Sequence, residues 1–333
     1  MRSFFIFIYI KYKIMDITIL ITDTHFGVKQ NSMTWLKSQM SFFKNQLIPY
    51  MEREELEGNK IRLVHLGDVF DSRSTISTYV ATQVVNMFKE LTIYADEIII
   101  VAGNHDYYSP NSNEVDTLSL LLGSIPEIKL ITKECFVSGE DLFVPWYQWE
   151  MQDGLQQVVE KLHIKNIFTH ADIVTSKFSV RGCNIYSGHV HIPYIKGFVR
   201  NLGSCFALNF ADSNSLRGFY VIRDGQLQMV ENTESIKFYR FYNEDILNDL
   251  SYLKPNDYIE LYVNQSNLSK ERFNIKINDM MKEYKNIWII PQANVLDSSD
   301  DIKFEGYDVA SIAKELIPED LQGKFNMVVN NVN

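Results

Sequence analysis

The chain has 333 residues, of which 46% are hydrophobic and 22% charged, a balance that excludes intrinsic disorder and a fibrous repeat. That length suggests about two domains of roughly 150 residues each. Its 42 acidic and 32 basic side chains give a formal net charge of -10, which argues against a protein that coats nucleic acid by bulk charge and leaves phosphate affinity to a local site. The three cysteines, Cys135, Cys183 and Cys205, lack close spacing, so a disulfide framework or zinc knuckle is not expected and a reducing compartment is.

Residues 3–10 form an apolar run closed by Lys11 and Lys13, far short of the roughly 20 residues a bilayer requires. No small-residue cleavage site follows it, so a signal peptide is a poor match. Met15 stands directly before the strand-like run Ile17–Ile21, and Met15 is therefore expected as the native start, with 1–14 a non-native leader. No other run could cross a membrane, and the expected location is the cytoplasm, the host's if the chain is viral.

From Ile17 onward, short apolar runs alternate with amphipathic segments, the rhythm of an α/β domain. Strands are predicted at Ile17–Ile21, Ile61–Leu66, Glu97–Ala102, Lys129–Thr132, Asn166–Thr169 and Cys183–Tyr186. Helical spacing predicts helices over Met33–Met51, Ile76–Leu91 and Asn113–Leu122. A β-rich stretch follows at Phe198–Leu202, Gly218–Ile222 and Gln226–Val230, the last two joined by a hairpin signal at Asp224-Gly225. The polar segment Glu231–Glu234 marks the expected boundary between a domain at 15–232 and a small α+β unit at 233–295. In that unit, Ile236–Tyr242, Tyr258–Val263 and Trp288–Pro291 read as strands, and Glu244–Leu253 and Lys270–Tyr284 as helices. The second helix carries Lys270, Arg272, Lys276 and Lys282, a pattern that suits either a solvated face or phosphate contact. A tail, 296–333, contains an amphipathic segment at Asp308–Leu316.

Residues with metal and acid-base chemistry cluster at the strand ends. Asp23-Thr24-His25 ends the first strand, and in an extended chain that spacing puts both side chains on one face. Gly67-Asp68, Gly103-Asn104-His105-Asp106, Thr169-His170 and Gly188-His189-Val190-His191 end later runs, with glycines that permit sharp turns toward a shared crevice. Each piece is weak alone, but their repetition in order points to a metal site. Oxygen and imidazole ligands without thiolates indicate a pair of divalent metals, manganese foremost, with iron or zinc as alternatives. Asp68 is the natural bridging carboxylate. Two such ions acidify water and clamp the attacking and leaving oxygens of an in-line displacement at phosphorus, so phosphoester hydrolysis is expected.

Asp23-Thr24-His25, Gly67-Asp68-Val69-Phe70-Asp71, Gly103-Asn104-His105-Asp106, His170 and Gly188-His189-Val190-His191 together resemble the calcineurin-like metallophosphoesterase superfamily, and most of all its SbcD branch of DNA repair and recombination nuclease subunits. Leu142-Phe143-Val144-Pro145-Trp146, Leu202-Gly203-Ser204 and Arg217-Gly218-Phe219-Tyr220 further resemble the phage recombination endonuclease subunit of that branch. The resemblance implies a β-sandwich flanked by helices, with a small C-terminal α+β cap domain for DNA recognition. It implies that Asp23, His25, Asp68 and His191 hold one metal, and Asp68, Asn104, His170 and His189 the other. His105 would stabilise the transition state or protonate the leaving oxygen. Asp106 would orient His105 or cap a turn, and Asp71 and Arg73 would brace the Gly-Asp loop or contact substrate.

His65 is expected in the core and His163 on the surface, while Trp146, Tyr147 and Trp149 could pack or stack a base. By resemblance the activity is a manganese-dependent 3′-to-5′ exonuclease on duplex ends and an endonuclease on single strands. The expected partners are DNA, a second copy of the chain and an SMC-type coiled-coil ATPase of the SbcC kind, on which the tail could dock. A phosphatase or small-molecule phosphodiesterase with the same core is the alternative. Protein phosphatases of the superfamily carry Gly-Asp-x-x-Asp-Arg-Gly and Gly-Asn-His-Glu, where this chain has Asp71-Ser72-Arg73 and Asp106. A scaffold that has lost its chemistry is opposed by the full ligand set.

Overall fold

Alternation of buried side chains along Ile17–Ile21 shows how the layers form. Ile17, Ile19 and Ile21 point to one core and Leu20 to another, because successive residues of a strand face opposite sides. In the computed structural model, which describes residues 7–8, 15–146, 154–171 and 180–292, this strand sits inside a six-stranded sheet. The order is Gln226–Glu231, Gly218–Arg223, Ile17–Ile21, Ile61–His65, Glu97–Val101, Ile128–Ile131. The last four are mutually parallel, and the hairpin at Asp224-Gly225 closes the other edge in antiparallel register. Those parallel strands read as near-continuous apolar runs because both faces are covered.

A second, mixed sheet runs Phe7–Ile8, Phe136–Ser138, Asp141–Val144, Asn166–Thr169, Asn184–Ser187, Val199–Asn201, Tyr194–Lys196. The two sheets pack through Leu20, Val64, Ile99 and Val101 against Phe143, Phe168 and Tyr186. The rings of Phe143, Phe168 and Tyr186 stack at centroid distances of 5.0 and 5.3 Å. Arg62, itself buried, ties the sheets at their edge by donating to Glu97 at 2.7 Å and Asp141 at 2.6 Å. Helices Met33–Phe42, Ile48–Leu56 and Thr78–Tyr94 cover the outer face of the first sheet, and Leu155–Leu162 covers the second. The result is a β-sandwich flanked by helices, as the resemblance to the metallophosphoesterase superfamily implies.

Beyond the hairpin, Phe238–Tyr242, Tyr258–Asn264 and Asn286–Gln292 make a parallel three-stranded sheet, with helix Glu271–Glu283 packed on it through Phe273, Ile277 and Met280. Its other face joins the main core, where Phe238 stacks on Trp35 at 5.8 Å.

Three predicted elements differ. The helix expected over Asn113–Leu122 starts at Thr117, because Asp116 caps it by accepting from Ser119 N at 2.6 Å, while Ser112–Asp116 pairs with Tyr107–Ser109. Only Asn243–Leu247 of the helix expected near Glu244–Leu253 forms, as a 3₁₀ turn. Downstream, the Asp249 side chain bonds Ser251 N at 3.0 Å and favours a local turn over a helix. The Met33–Met51 helix extends to Leu56 through a π-turn at Phe43–Leu47. Of the expected leader, Phe7–Ile8 pairs with Phe136–Val137. Tyr147, Trp149, the Asp308–Leu316 segment and the tail 296–333 lie outside the described residues. Among the described residues no helix is long and apolar enough to cross a membrane.

Candidate metal centre

The parallel strands deliver their C-terminal ends to one edge of the sandwich, and the loops that follow carry the side chains. Asp23 and His25 reach the crevice with φ of 51° and 46°, so left-handed backbone, rather than the extended alternation expected from sequence, aims them together. Asp68 and His189 share this conformation at φ 53° and 78°. Non-glycine residues held in that region cost conformational energy and concentrate at functional sites. The loops are pinned by backbone bonds from Asp23 N to Gly67 O and from His25 N to Asp68 O, both at 3.0 Å.

Of the three glycines expected at sharp turns, one has that role. Gly67 does need positive φ, at 96°. Gly103 and Gly188 are there for space: a Cβ on Gly103 would stand 2.2 Å from the Asp68 carboxylate, and one on Gly188 would stand 2.0 Å from Thr22 Oγ1.

Two ligand-like groups result, Asp23, His25 and His191 on one side and Asp68, His170 and His189 on the other. Between them lies Asp68 Oδ2, 3.8 Å from His25 Nε2 and 3.3 Å from His170 Nε2, the position of a bridging carboxylate. Asn104 Oδ1 completes the second group at 3.2 Å from His170 Nε2 and 2.9 Å from His189 Nδ1. In the first group His25 Nε2 and His191 Nε2 face each other at 3.2 Å, two lone-pair atoms that need a proton or a cation between them. Asp23 Oδ1 is buried without a hydrogen-bond partner, 3.7 Å from His191 Nε2. Its other oxygen is occupied by Thr22 Oγ1 at 2.6 Å and His189 N at 3.1 Å, a fixed orientation that leaves Oδ1 for a cation. His170 is set up similarly: Nδ1 donates to Leu66 O at 2.7 Å, which leaves the Nε2 lone pair toward the site.

Charge supports the same fit. Among the described residues no lysine or arginine pairs with Asp23 or Asp68, although both are buried. Burial would raise the Asp23 carboxyl, but the charge of His170 and the His25 imidazole 3.8 Å away overcome it and hold it at about 2. Asp68 is likewise held below the usual carboxylate range, with burial opposed chiefly by His170. Burial would discharge His25, yet the carboxylates of Asp23 at 3.8 Å and Asp71 at 3.5 Å, with Asp68 nearby, push it up to about 10. His170 rises to about 9 because the charges of Asp68 and Asp23 outweigh its burial. Protonated imidazoles thus supply the countercharge that divalent cations would supply, and the residues present fit two such ions.

His105 stands at the rim, its ring 5.1 Å from that of His25. Its Nδ1 donates to Asp71 O at 2.5 Å, which leaves Nε2 as the nitrogen free for proton transfer. Asp106 does not serve this ring, contrary to one of the two expectations. It is fully buried and accepts from Gly103 N, Asp68 N and Val69 N at 2.8, 2.9 and 3.1 Å, bracing the Gly-Asp loop. Burial, reinforced by the Asp68 charge, pushes its carboxyl up to about 7. Asp71 Oδ1 lies 3.5 Å from His25 Nδ1, and Arg73 donates to Tyr107 O at 3.4 Å, so both have bracing contacts within the chain.

His65 is core, as expected, and does more than fill it: Nδ1 accepts from Gly67 N at 3.2 Å and Nε2 bonds Thr24 Oγ1 at 2.9 Å, joining two ligand loops. His163 is exposed. Trp146 packs its ring 4.7 Å from that of His189. Sequence reasoning passes over Thr22 and Thr24, whose only signal is a polar residue directly at the end of an apolar strand.

The calcineurin-like phosphoesterase family model matches residues 18–276. Exonuclease subunit 1 of Enterobacteria phage T4 is 23% identical over 222 residues, 60% of this chain and 62% of that protein, so the chain spans less than two thirds of the relative's length. Among solved structures, the Pseudomonas putida nuclease MPE is similar with 14% identity and a TM-score of 0.29, over 64% of this chain and 87% of that one. The extent of the family match, which takes in every ligand-like residue above, makes the chain a member of the calcineurin-like phosphoesterase family.

Proposed function

We propose that the chain is a dimetal DNA nuclease, the nuclease subunit of an SbcCD-like recombination or repair complex. The observation that carries the phosphodiesterase chemistry is the pair of ligand groups sharing Asp68, with His105 at the rim. The nuclease reading is supported by the T4 relative, an exonuclease subunit. Manganese is the preferred ion, since oxygen and imidazole donors without thiolate suit it. When bound, two divalent ions supply Lewis acidity toward the phosphate and the attacking oxygen.

The chain's own residues do the rest. Asp23, Asp68, Asn104 and the four histidines His25, His170, His189 and His191 hold the ions, and the Leu66 carbonyl keeps His170 in its ligating tautomer. His105, steadied through Nδ1, offers Nε2 to the leaving oxygen. The remaining elements of the proposal are 3′-to-5′ exonuclease action on duplex ends, endonuclease action on single strands, a homodimer, and a separate SMC-type ATPase. The unit at 233–295 is proposed as a DNA-recognition cap, with Asp71 and Arg73 as substrate-side residues and 296–333 as the docking tail.

The test is manganese-dependent cleavage of linear duplex and single-stranded circular DNA. Wild type is expected to cut both, and His105→Ala to lower kcat by about 10²- to 10⁴-fold, the range of general acid-base catalysis. Hydrolysis of a phosphopeptide with DNA left intact would instead establish a phosphatase.

A further inference from the structure

The segments Leu202-Gly203-Ser204 and Arg217-Gly218 supply no ligand, yet they converge behind one half of the centre. Ser204 is buried and makes two bonds to ligand-bearing backbone: its Oγ donates to Asp23 O at 2.8 Å and its N–H to His191 O at 3.0 Å. Cys205 N donates to Thr22 O at 3.3 Å in the same turn. The His191 carbonyl also accepts from the buried guanidinium of Arg217, which pairs with Asp212 at 3.0 Å. Asp212 in turn accepts from Leu208 N at 2.8 Å, so the pair is anchored to the loop that follows Ser204. Gly203, at φ 71°, lets the turn come this close, since a Cβ there would meet His191 O at 2.6 Å.

These contacts fall on one side. Asp23 holds a left-handed φ of 51° with its N–H bonded to Gly67 O and its carbonyl to Ser204, so removal of the Ser204 hydroxyl frees one of two restraints on an unfavourable backbone. The second ligand group is braced instead by Leu66 O on His170 and by Asp106 beneath Asp68.

We infer that Ser204, with the Asp212–Arg217 pair, is a positioning clamp that sets the affinity of the Asp23–His191 cation subsite selectively; the inference rests on the dimetal reading above. Groups that orient metal ligands typically change affinity by about 10- to 100-fold when removed.

The experiment titrates Mn2+ into the full chain and counts bound ions by electron paramagnetic resonance, with metal-free melting as a parallel measurement. Wild type is expected to bind two equivalents. Ser204→Ala is expected to weaken one of them by about 10- to 100-fold and leave the other within about threefold. Arg217→Lys, which keeps the charge opposite Asp212 but cannot fork between Asp212 and His191 O, is expected to weaken the same equivalent, and it carries the test if Ser204→Ala fails to fold. Two equivalents of wild-type affinity in both variants would overturn the clamp while leaving the dimetal centre standing. Equal weakening of both equivalents would overturn it as well, by showing general loosening. Fewer than two equivalents in wild type would remove the dimetal reading and the clamp together.

Discussion

Asp68→Asn is expected to abolish most phosphodiester hydrolysis while leaving the fold in place. The amide is isosteric, and its oxygen can still accept from His105 N as Asp68 Oδ1 does at 2.8 Å. What is lost is the negative charge between His25 Nε2 and His170 Nε2, the charge two neighbouring cations must share. Divalent ions contribute several kcal/mol to a phosphoryl transition state, so loss of the shared ligand should cost about 4 kcal/mol, or roughly 10³-fold in kcat. A manganese-dependent assay on bis(p-nitrophenyl) phosphate measures it without requiring DNA. Activity retained within about tenfold would mean that Asp68 is not the bridge.

The second large effect is on stability. Asp106→Ala is expected to leave the backbone N–H groups of Gly103, Asp68 and Val69 buried without an acceptor. Each orphaned donor costs about 1–3 kcal/mol, so the total for three reaches at least about 3 kcal/mol, a large share of the 5–15 kcal/mol by which domains are stable. Thermal melting of the metal-free protein should fall by roughly 6 °C or more, or the protein should fail to accumulate. His105→Ala, at the partly exposed rim, should melt near wild type. If Asp106→Ala melts with wild type and loses only catalysis, the bracing role is wrong and the orienting role toward His105 returns.

The Asp106 result illustrates which features are legible in a sequence. The ligand-like residues are legible because they follow apolar strands, and the parallel strands of the two sheets bring such ends to one edge. Asp106 sits in the same motif, but whether its carboxylate turns toward His105 or beneath the Gly67-Asp68 loop depends on a loop 38 residues away, between Asp106 and Asp68. Asp23 and His25 were paired correctly on a wrong premise, since local periodicity assumes extended backbone and both residues are left-handed. Gly103 and Gly188 look like turn residues in one dimension and prove to be spaces for a carboxylate and a hydroxyl.

Short elements were the least legible. Phe136–Ser138 and Asp141–Val144 are strands of three and four residues that pair with each other across a tight turn, and Asp141–Val144 joins the second sheet by pairing with the distant Asn166–Thr169. The helix at Thr117 hides its start in a single side chain, Asp116. The long elements, with many residues voting for one period, were placed to within a few positions.

The most direct measurement of the central claim is the anomalous scattering of crystals soaked in Mn2+. Two peaks about 3.5–4 Å apart are expected, with the Asp68 carboxylate between them. One peak should lie against Asp23, His25 and His191, and the other against Asn104, His170 and His189. A single peak, or two peaks that do not share Asp68, would contradict it.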